Sequence, residues 1–499
     1  MEKKIVGNDL LKVYEKTGAK KKIITILAWG DPIDVGAGNE EEIAVQVSAR
    51  IKNNGEFVNT MVDGFINAKA KLLNPNANDV VKYSICDVQQ GDASVLETPK
   101  GKRIFFDGGK NQMFARYLAV RYSKQNSASS RLAVDAIVVT HGDNDHLGGL
   151  IEIAKSEKNT SSTKRIFIQP KAVLHNGLIK GTSNKPLLAF GTTTVNAADG
   201  ESYVTDLGDD ITQVPAAQMN TNFSKWQEVL SEWKKNGPVK IQRLSDKIHA
   251  NAFDFLQNEG IWIKILGPIE DTVNAQPALR LFKNPLKELP EAQGEAIGTN
   301  LKLANSYSVS HTINGHSLVL LIEYGNVRLL LTGDINKQAQ VRMLAQAATD
   351  NFPTRVDILK VPHHGSADFS TAFLNQAQPV ISVVSSGDEN EMTEYIHPRA
   401  TLVGALGKYS RIPQPIVFCT ELSAFYKYMG NARQVKADGT AKGGKFYAHQ
   451  RTAYGIIHFC FNRERIVVFT HSGKRDLKEA YAVKIMADGR AVPDNISII

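Results

Sequence analysis

Between Thr140 and Gly149 the chain reads Thr-His-Gly-Asp-Asn-Asp-His-Leu-Gly-Gly, which places four potential metal ligands, His141, Asp143, Asp145 and His146, within six residues. The run follows directly on Asp135-Ala136-Ile137-Val138-Val139, an apolar strand pattern. A strand tip built from alternating His and Asp would bury charge, and buried charge persists only when it is paired or bound to a metal. The spacing lets His141 and Asp143 point the same way from the strand end. Asp145 and His146 then face a second position from the start of the following helix. Two adjacent divalent cations satisfy all four groups.

Other segments carry similar signals in a fixed order: Ile85-Cys86-Asp87-Val88-Gln89-Gln90-Gly91-Asp92-Ala93, Phe105-Phe106-Asp107-Gly108-Gly109, Leu329-Leu330-Leu331-Thr332-Gly333-Asp334 and Leu359-Lys360-Val361-Pro362-His363-His364-Gly365-Ser366. With the His/Asp run they resemble the metallo-β-lactamase superfamily, whose motif is His-x-His-x-Asp-His. Asp143 stands where the second His usually does. That form resembles the branch containing the soluble domain of ComEC-type DNA-uptake proteins. The resemblance spans residues 80 to 410 and implies an α/β fold, the αββα sandwich, with a metal-dependent hydrolase function.

Composition narrows the setting. A chain of 499 residues exceeds what one hydrophobic core usually serves. No stretch approaches the roughly 20 apolar residues of a membrane helix, and Met1-Glu2-Lys3-Lys4 precedes no apolar signal segment, so a soluble, cytoplasmic protein without a membrane segment is expected. Cys86, Cys419 and Cys460 sit among apolar neighbours and read as reduced core residues. The formal net charge of +8 admits an anionic partner. Lys20-Lys21-Lys22 reads as a solvated turn. Arg433, Lys436, Lys442 and Lys445 lie among glycines and near Tyr426, Tyr428, Phe446 and Tyr447, which fits either a basic loop or a stacking surface for nucleic acid.

Three units are expected: a small β-rich, SH3-like module at 1–70; the metallo-β-lactamase-fold domain at 80–410, with an insertion at 155–260; and a C-terminal extension at 411–499. Within the insertion, Phe223, Trp226, Leu230 and Trp233 share one helical face and read as packing. Residues 269–304 suggest a mobile loop near the site. The strands after Ile412 fit either an extension of the sandwich or an appended domain. The N-terminal module and C-terminal extension are candidate surfaces for a protein partner.

The resemblance implies one metal on His141, Asp143 and a late histidine, and a second on Asp145 and His146, with Asp334 bridging. His363, nearer the strand end, is the first choice for the late ligand, and His364 for a substrate contact. His316 is a candidate further ligand, with His311 close by, although ComEC-type sequences tend to carry Asn and Ser there. Asp87, Asp92 and Asp107 are expected to orient ligands through hydrogen bonds. Asp145, His364 and His397 are the candidate catalytic residues. His397, before Pro398, would contact a phosphate oxygen or leaving group, or else be structural. The mixed imidazole and carboxylate set favours two divalent ions, Mn²⁺ or Zn²⁺, with Mg²⁺ also admitted. Such a pair activates water and stabilises a pentacovalent phosphorus, which suits a phosphodiesterase or nuclease acting on nucleic acid or another phosphodiester. The alternatives are a hydrolase of an ester, amide or cyclic nucleotide, and a non-catalytic scaffold.

Overall fold

The apolar segment ahead of the His/Asp run, Ala136–Val139, lies inside a ten-stranded sheet, and its neighbours explain why its residues are apolar on both faces. In the computed structural model, residues 1–18, 20–53, 56–123, 126–249, 251–285, 303–350, 355–387, 397–423, 425–436, 438, 440–453, 455–470 and 479–499 are described. The first sheet runs in the order Lys240–Arg243, Ala172–His175, Ala136–Val139, Arg103–Phe106, Ser94–Glu97, Val81–Cys86, Ile456–Phe461, Arg465–Thr470, Ala480–Ile485 and Ala491–Asp494. A six-stranded sheet faces it, ordered Ile261–Gly267, Val319–Tyr324, Val327–Leu331, Ile358–Lys360, Ile381–Val384 and Ile416–Cys419.

Side-chain alternation divides each strand between two cores. Ile104, Phe106 and Val138 face Leu320, Ile322, Leu329 and Leu331 across the space between the sheets. Phe105, Ile137 and Val139 turn outward against α1 (Met113–Arg121), α2 (Asn144–Ser156) and α3 (Thr221–Asn236). On the second sheet Val319, Leu321 and Leu330 pack outward with residues of α5 (Lys337–Asp350), α6 (Thr371–Ala377) and α7 (Ala400–Tyr409); α4 (Val309–Gly315) precedes strand Val319–Tyr324. Strands buried on both faces read as continuous apolar runs, and the expected αββα layering is present. The helix α3 buries Phe223, Trp226, Leu230 and Trp233. All three cysteines are buried, and burial pushes the Cys460 thiol up to about 12.

Both flanks pair with or pack on the sandwich. Ile456–Phe461 pairs antiparallel with Val81–Cys86, so the late strands extend the first sheet, while Ile416–Cys419 closes the second. Residues 2–73 form a seven-stranded antiparallel sheet whose outermost strands, Lys20–Ala28 and Leu72–Leu73, do not pair with each other among the described residues. That sheet docks on the late strands: Arg465 holds Asp9 with two contacts of 2.5 and 2.9 Å, and Leu10 and Trp29 pack with Val80, Cys460 and Phe469. Lys20, Lys21 and Lys22 begin a strand rather than a turn, and Lys22 pairs with Glu15 at 2.5 Å.

Two other segments differ from expectation. Residues 271–285 form three short strands, with 286–302 outside the described residues. The basic region forms a two-stranded ribbon, Phe425–Val435 with Ala441–Ala453. No helix among the described residues is long and apolar enough to cross a membrane.

Outside the site, one buried pair gives the fold a pH signature. Glu97 accepts from Tyr122 Oη at 2.8 Å and pairs with Arg121. Burial opposes its charge, but Arg121 and Lys82 prevail and hold the carboxyl down to about 2. A depressed carboxylate contributes stability that is present above its unfolded pKa and lost as pH falls through the folded one. Glu97→Gln should therefore destabilise by on the order of 2 kcal/mol at neutral pH. Chemical denaturation should show that gap closing between about pH 4.5 and 2; a gap independent of pH would refute the assignment.

Candidate metal centre

The two halves of the sandwich present the C-terminal ends of their parallel strands at one edge, as Arg103–Phe106, Ala136–Val139, Val327–Leu331 and Ile358–Lys360 end in the loops that carry the motifs. Backbone contact fixes the spacing of the first half. A Cβ on Gly149 would lie 1.8 Å from the carbonyl oxygen of Gly108, so helix α2 seats directly on the Asp107-Gly108-Gly109 turn. Gly91, at φ +105°, lies so close to Asp145 that a Cβ there would fall 1.8 Å from its carbonyl oxygen. Only glycine at 91 lets the chain carry Asp92 past Asp145.

His146 is the hub. Its Nδ1 lies 2.8 Å from Asp107 Oδ2, and Asp107 also accepts from Thr140 N and Thr140 Oγ1, each at 2.7 Å. This fixes the ring so that Nε2 points outward, 3.2 Å from Asp334 Oδ2 and 3.4 Å from His364 Nε2. His364 Nε2 is also 3.0 Å from Asp334 Oδ2 and 3.5 Å from Asp145 Oδ2, while its Nδ1 lies 3.0 Å from the Ser385 carbonyl oxygen. Two groups of donor atoms result, each within 4.8 Å: Asp92, His146, Asp334 and His364, and His141, Asp145 and His146. They share His146.

The donors fit a divalent cation by an independent criterion. His141 Nε2, Asp92 Oδ1 and Asp334 Oδ1 are buried without a hydrogen-bond partner among the described residues. Leaving such an atom unsatisfied costs about 1–3 kcal/mol, more for charged groups, and three converge here.

The electrostatics follow from burying carboxylates together. Burial disfavours charge on His146 and His364, yet Asp334 with Asp107, or Asp334 with Asp145, holds both imidazoles well above their ordinary pKa. Burial likewise opposes ionisation of Asp334, but His364 and His146 keep it well below the carboxylate range. His141 goes the other way, down to about 3, through burial and repulsion from His146. Asp143 is raised to about 6 by burial and the neighbouring Asp145.

Several positions differ from the sequence expectation. His364, not His363, enters the cluster. The chain breaks from strand geometry at Pro362, and His363 (φ 47°) and His364 (φ 51°) both adopt left-handed conformations, so proximity to the strand end does not decide which ring points inward. His363 instead lies at the rim, bridged to Asp143 through Asn314, whose amide donates to Asp143 Oδ2 at 3.1 Å and accepts from His363 Nε2 at 3.2 Å. Asp143 is 4.0 Å from His141 Nε2 and outside both donor groups.

His316 stands apart from both donor groups, donating from Nε2 to the Arg280 carbonyl oxygen at 2.7 Å and lying flat on Phe282. Ser317 takes the nearby place, 3.3 Å from His141 Nδ1 and accepting from Asp334 N at 3.0 Å. His311 faces Asp368 at 3.4 Å. His397 is at the rim, its ring 5.8 Å from that of His363.

The sequence reading missed two residues of the cluster. Asp92 was assigned only an orienting role, and Lys360 none. Lys360 is buried, ion-paired to Asp92, and donates to the Gly333 carbonyl oxygen at 3.0 Å. A lysine inside the apolar strand Ile358–Lys360 was the available signal.

Residues 86–163 match the family described as the metallo-beta-lactamase superfamily. The chain is 35% identical over 99 residues to the ComE operon protein 3 of Bacillus subtilis (strain 168), covering 19% of this chain and 12% of that protein. Over this region the chain is similar to the metallo-β-lactamase superfamily and to ComEC-type proteins. Recombination protein 2 of Haemophilus influenzae is 35% identical over 86 residues, 16% of this chain and 10% of that protein, so the chain spans only about a tenth of the length of either relative. Among solved structures, a metal-dependent hydrolase of the β-lactamase superfamily has a TM-score of 0.31 at 11% identity, covering 68% of this chain and 96% of that one. A long-form RNase Z from yeast has 0.27 at 9%, covering 61% and 36%. The match to the metallo-β-lactamase superfamily over residues 86–163 implies divalent ions, which the donor groups above are suited to hold.

A ligand imidazole must be deprotonated, so ion binding has to displace the protons that the carboxylates draw onto His146 and His364. Binding of Mn²⁺ or Zn²⁺ at pH 7 should release up to two protons per chain from these imidazoles, and affinity should rise with pH because both pKa values are raised. Calorimetry in buffers of different ionisation enthalpy measures this directly. A binding enthalpy that ignores the buffer would contradict it.

Proposed function

We propose that this metallo-β-lactamase superfamily hydrolase is a metal-dependent phosphodiesterase, acting as a nuclease. The observation that carries the reading is the pair of donor groups joined at His146, Asp92/His146/Asp334/His364 and His141/Asp145/His146. Divalent cations held there would supply an activated water and offset the negative charge that gathers on phosphorus. Asp334, between His146 and His364, is the bridging carboxylate of the proposal, with Asp145 the carboxylate on the second group. One relative is a recombination protein by name, and the basic composition fits a polyanionic substrate.

The rim would handle the substrate. His397 is half-buried, and burial together with His363 and His364 lowers its pKa to about 4, so near neutrality it is an uncharged imidazole. An uncharged ring offers one N–H to a phosphate oxygen rather than acting as a standing positive charge. His363 and Asn314, across the same rim, would orient the diester.

A metal-supplemented panel of DNA, RNA, cyclic nucleotides and simple esters tests the class of reaction. Phosphodiester cleavage, strongest with Mn²⁺, is expected; ester or amide turnover without phosphodiester cleavage would replace the proposal. Asp334→Ala and His364→Ala should lose bound metal and activity together. His397→Ala should lower turnover by about 10²-fold with metal content intact, and His397→Asn, which retains an N–H donor, should recover part of it. Loss of metal in His397→Ala would make that residue a ligand.

A further inference from the structure

The ribbon of Phe425–Val435 and Ala441–Ala453 has an unusual place in the fold. Among the described residues, its strands pair with each other and join neither large sheet. Both of its feet stand on loops that line the metal centre. At one foot, Thr420 Oγ1 donates to the Ser386 carbonyl oxygen at 2.8 Å and accepts from Ser386 N at 3.1 Å. The adjacent Ser385 accepts at its carbonyl oxygen from His364 and donates its hydroxyl to the Gly91 carbonyl oxygen at 2.8 Å. At the other foot, Gly455 N donates to Asp87 Oδ2 at 3.1 Å, and Asp87 N donates to the Gly455 carbonyl oxygen at 2.8 Å. Asp87 heads the loop that carries Asp92 into the cluster.

The composition of the ribbon is one-sided. Between Phe425 and Ala453 lie six basic residues, Lys427, Arg433, Lys436, Lys442, Lys445 and Arg451, against one acidic residue, Asp438. Asp438 is exposed at the hairpin tip, where it accepts from Thr440 N at 2.9 Å. Five aromatic residues, Phe425, Tyr426, Tyr428, Phe446 and Tyr447, interleave with the basic ones. Strands of 11 and 13 residues reach about 35 Å at roughly 3.3 Å per residue. A diester of nucleotide size needs no such reach, whereas a polynucleotide does. Positive charge along an extended element, interspersed with rings on which bases stack, is the chemistry that holds single strands without regard to sequence.

We infer that the ribbon is the docking arm for a single-stranded nucleic acid whose backbone passes into the metal centre at its base. The inference rests on the phosphodiesterase reading and deepens it, because it makes the substrate single-stranded and names the element that holds it. The test replaces Lys427, Arg433, Lys442 and Lys445 together by Gln in the full chain and follows fluorescent single-stranded DNA and RNA oligonucleotides by anisotropy, in EDTA so that nothing is cut. A matched control replaces Lys20, Lys21 and Lys22, which lie on the N-terminal sheet.

The arm variant should bind single strands at least about tenfold more weakly, and its salt dependence should flatten by up to about 3 in the log–log slope, at roughly 0.7 per lost phosphate contact. The control should bind as wild type. Turnover of bis(p-nitrophenyl) phosphate should be equal in all three proteins, which also reports an intact fold. Unchanged oligonucleotide binding in the arm variant, or equal loss in the control, would overturn the inference. Failure of every form to cleave any diester would remove the phosphodiesterase reading, while the binding comparison would still decide what the arm holds.

Discussion

The chain of contacts from Asp107 through His146 to Asp334 and His364 ties the two sheets together at their shared edge. Asp107 and His146 come from the first half of the sandwich, and Asp334 and His364 from the second. None of the four is exposed enough to be solvated, so each depends on the next for compensation. Isolated buried carboxylates of this kind would each cost several kcal/mol. Alternating them with imidazoles turns a liability into an ordered set of donors whose geometry is fixed before any cation arrives. Asp107 contributes most to that order, since it takes three hydrogen bonds and leaves His146 one orientation.

The backbone is shaped to the same end. Gly91 and Gly149 allow main chain to approach main chain where a methyl group would collide, and this brings the Asp92 loop and helix α2 within reach of Asp334. The left-handed pair His363 and His364 costs conformational energy that a loop under no constraint would release. It persists because it turns adjacent imidazoles to different tasks, His364 into the cluster and His363 toward Asn314 and the rim.

Much of this was legible in the sequence, and the parts that were not have a common cause. Metal-type residues at a strand end, apolar runs on doubly buried strands and the aromatic face of α3 are local patterns, readable from spacing alone. The choice between His363 and His364 was not, because it depends on a backbone excursion after Pro362 that breaks the period-two rule. His316 illustrates a related point: a histidine beside the site in sequence need not face it, for its ring lies on Phe282 while Asn314 and Ser317 make the contacts. Asp92 and Lys360 lie 268 positions apart in the sequence and pair only once the sandwich is closed. The late strands joined the first sheet for the same reason, since strand pairing between residues 81–86 and 456–461 leaves no local trace.

On the proposed reading, the charge balance of the site is what makes cations necessary for an anionic substrate. Asp92, Asp107, Asp143, Asp145 and Asp334 gather in one buried region. Lys360 is committed to Asp92 and, at 3.8 Å, to Asp334. A phosphodiester brought to this pocket meets carboxylates whose repulsion is poorly screened in a medium of low polarisability. Protons on His146 and His364 offset part of that charge, but they also occupy the nitrogens that would coordinate metal. Asp92, His146, Asp334 and His364, with His141 and Asp145, would hold divalent cations whose charge would free the imidazoles of protons and offset the carboxylates facing a phosphate. On the proposed phosphodiesterase reading, the net positive charge of the chain would bring a polyanion near, and cations within the carboxylate cluster would let its phosphorus approach.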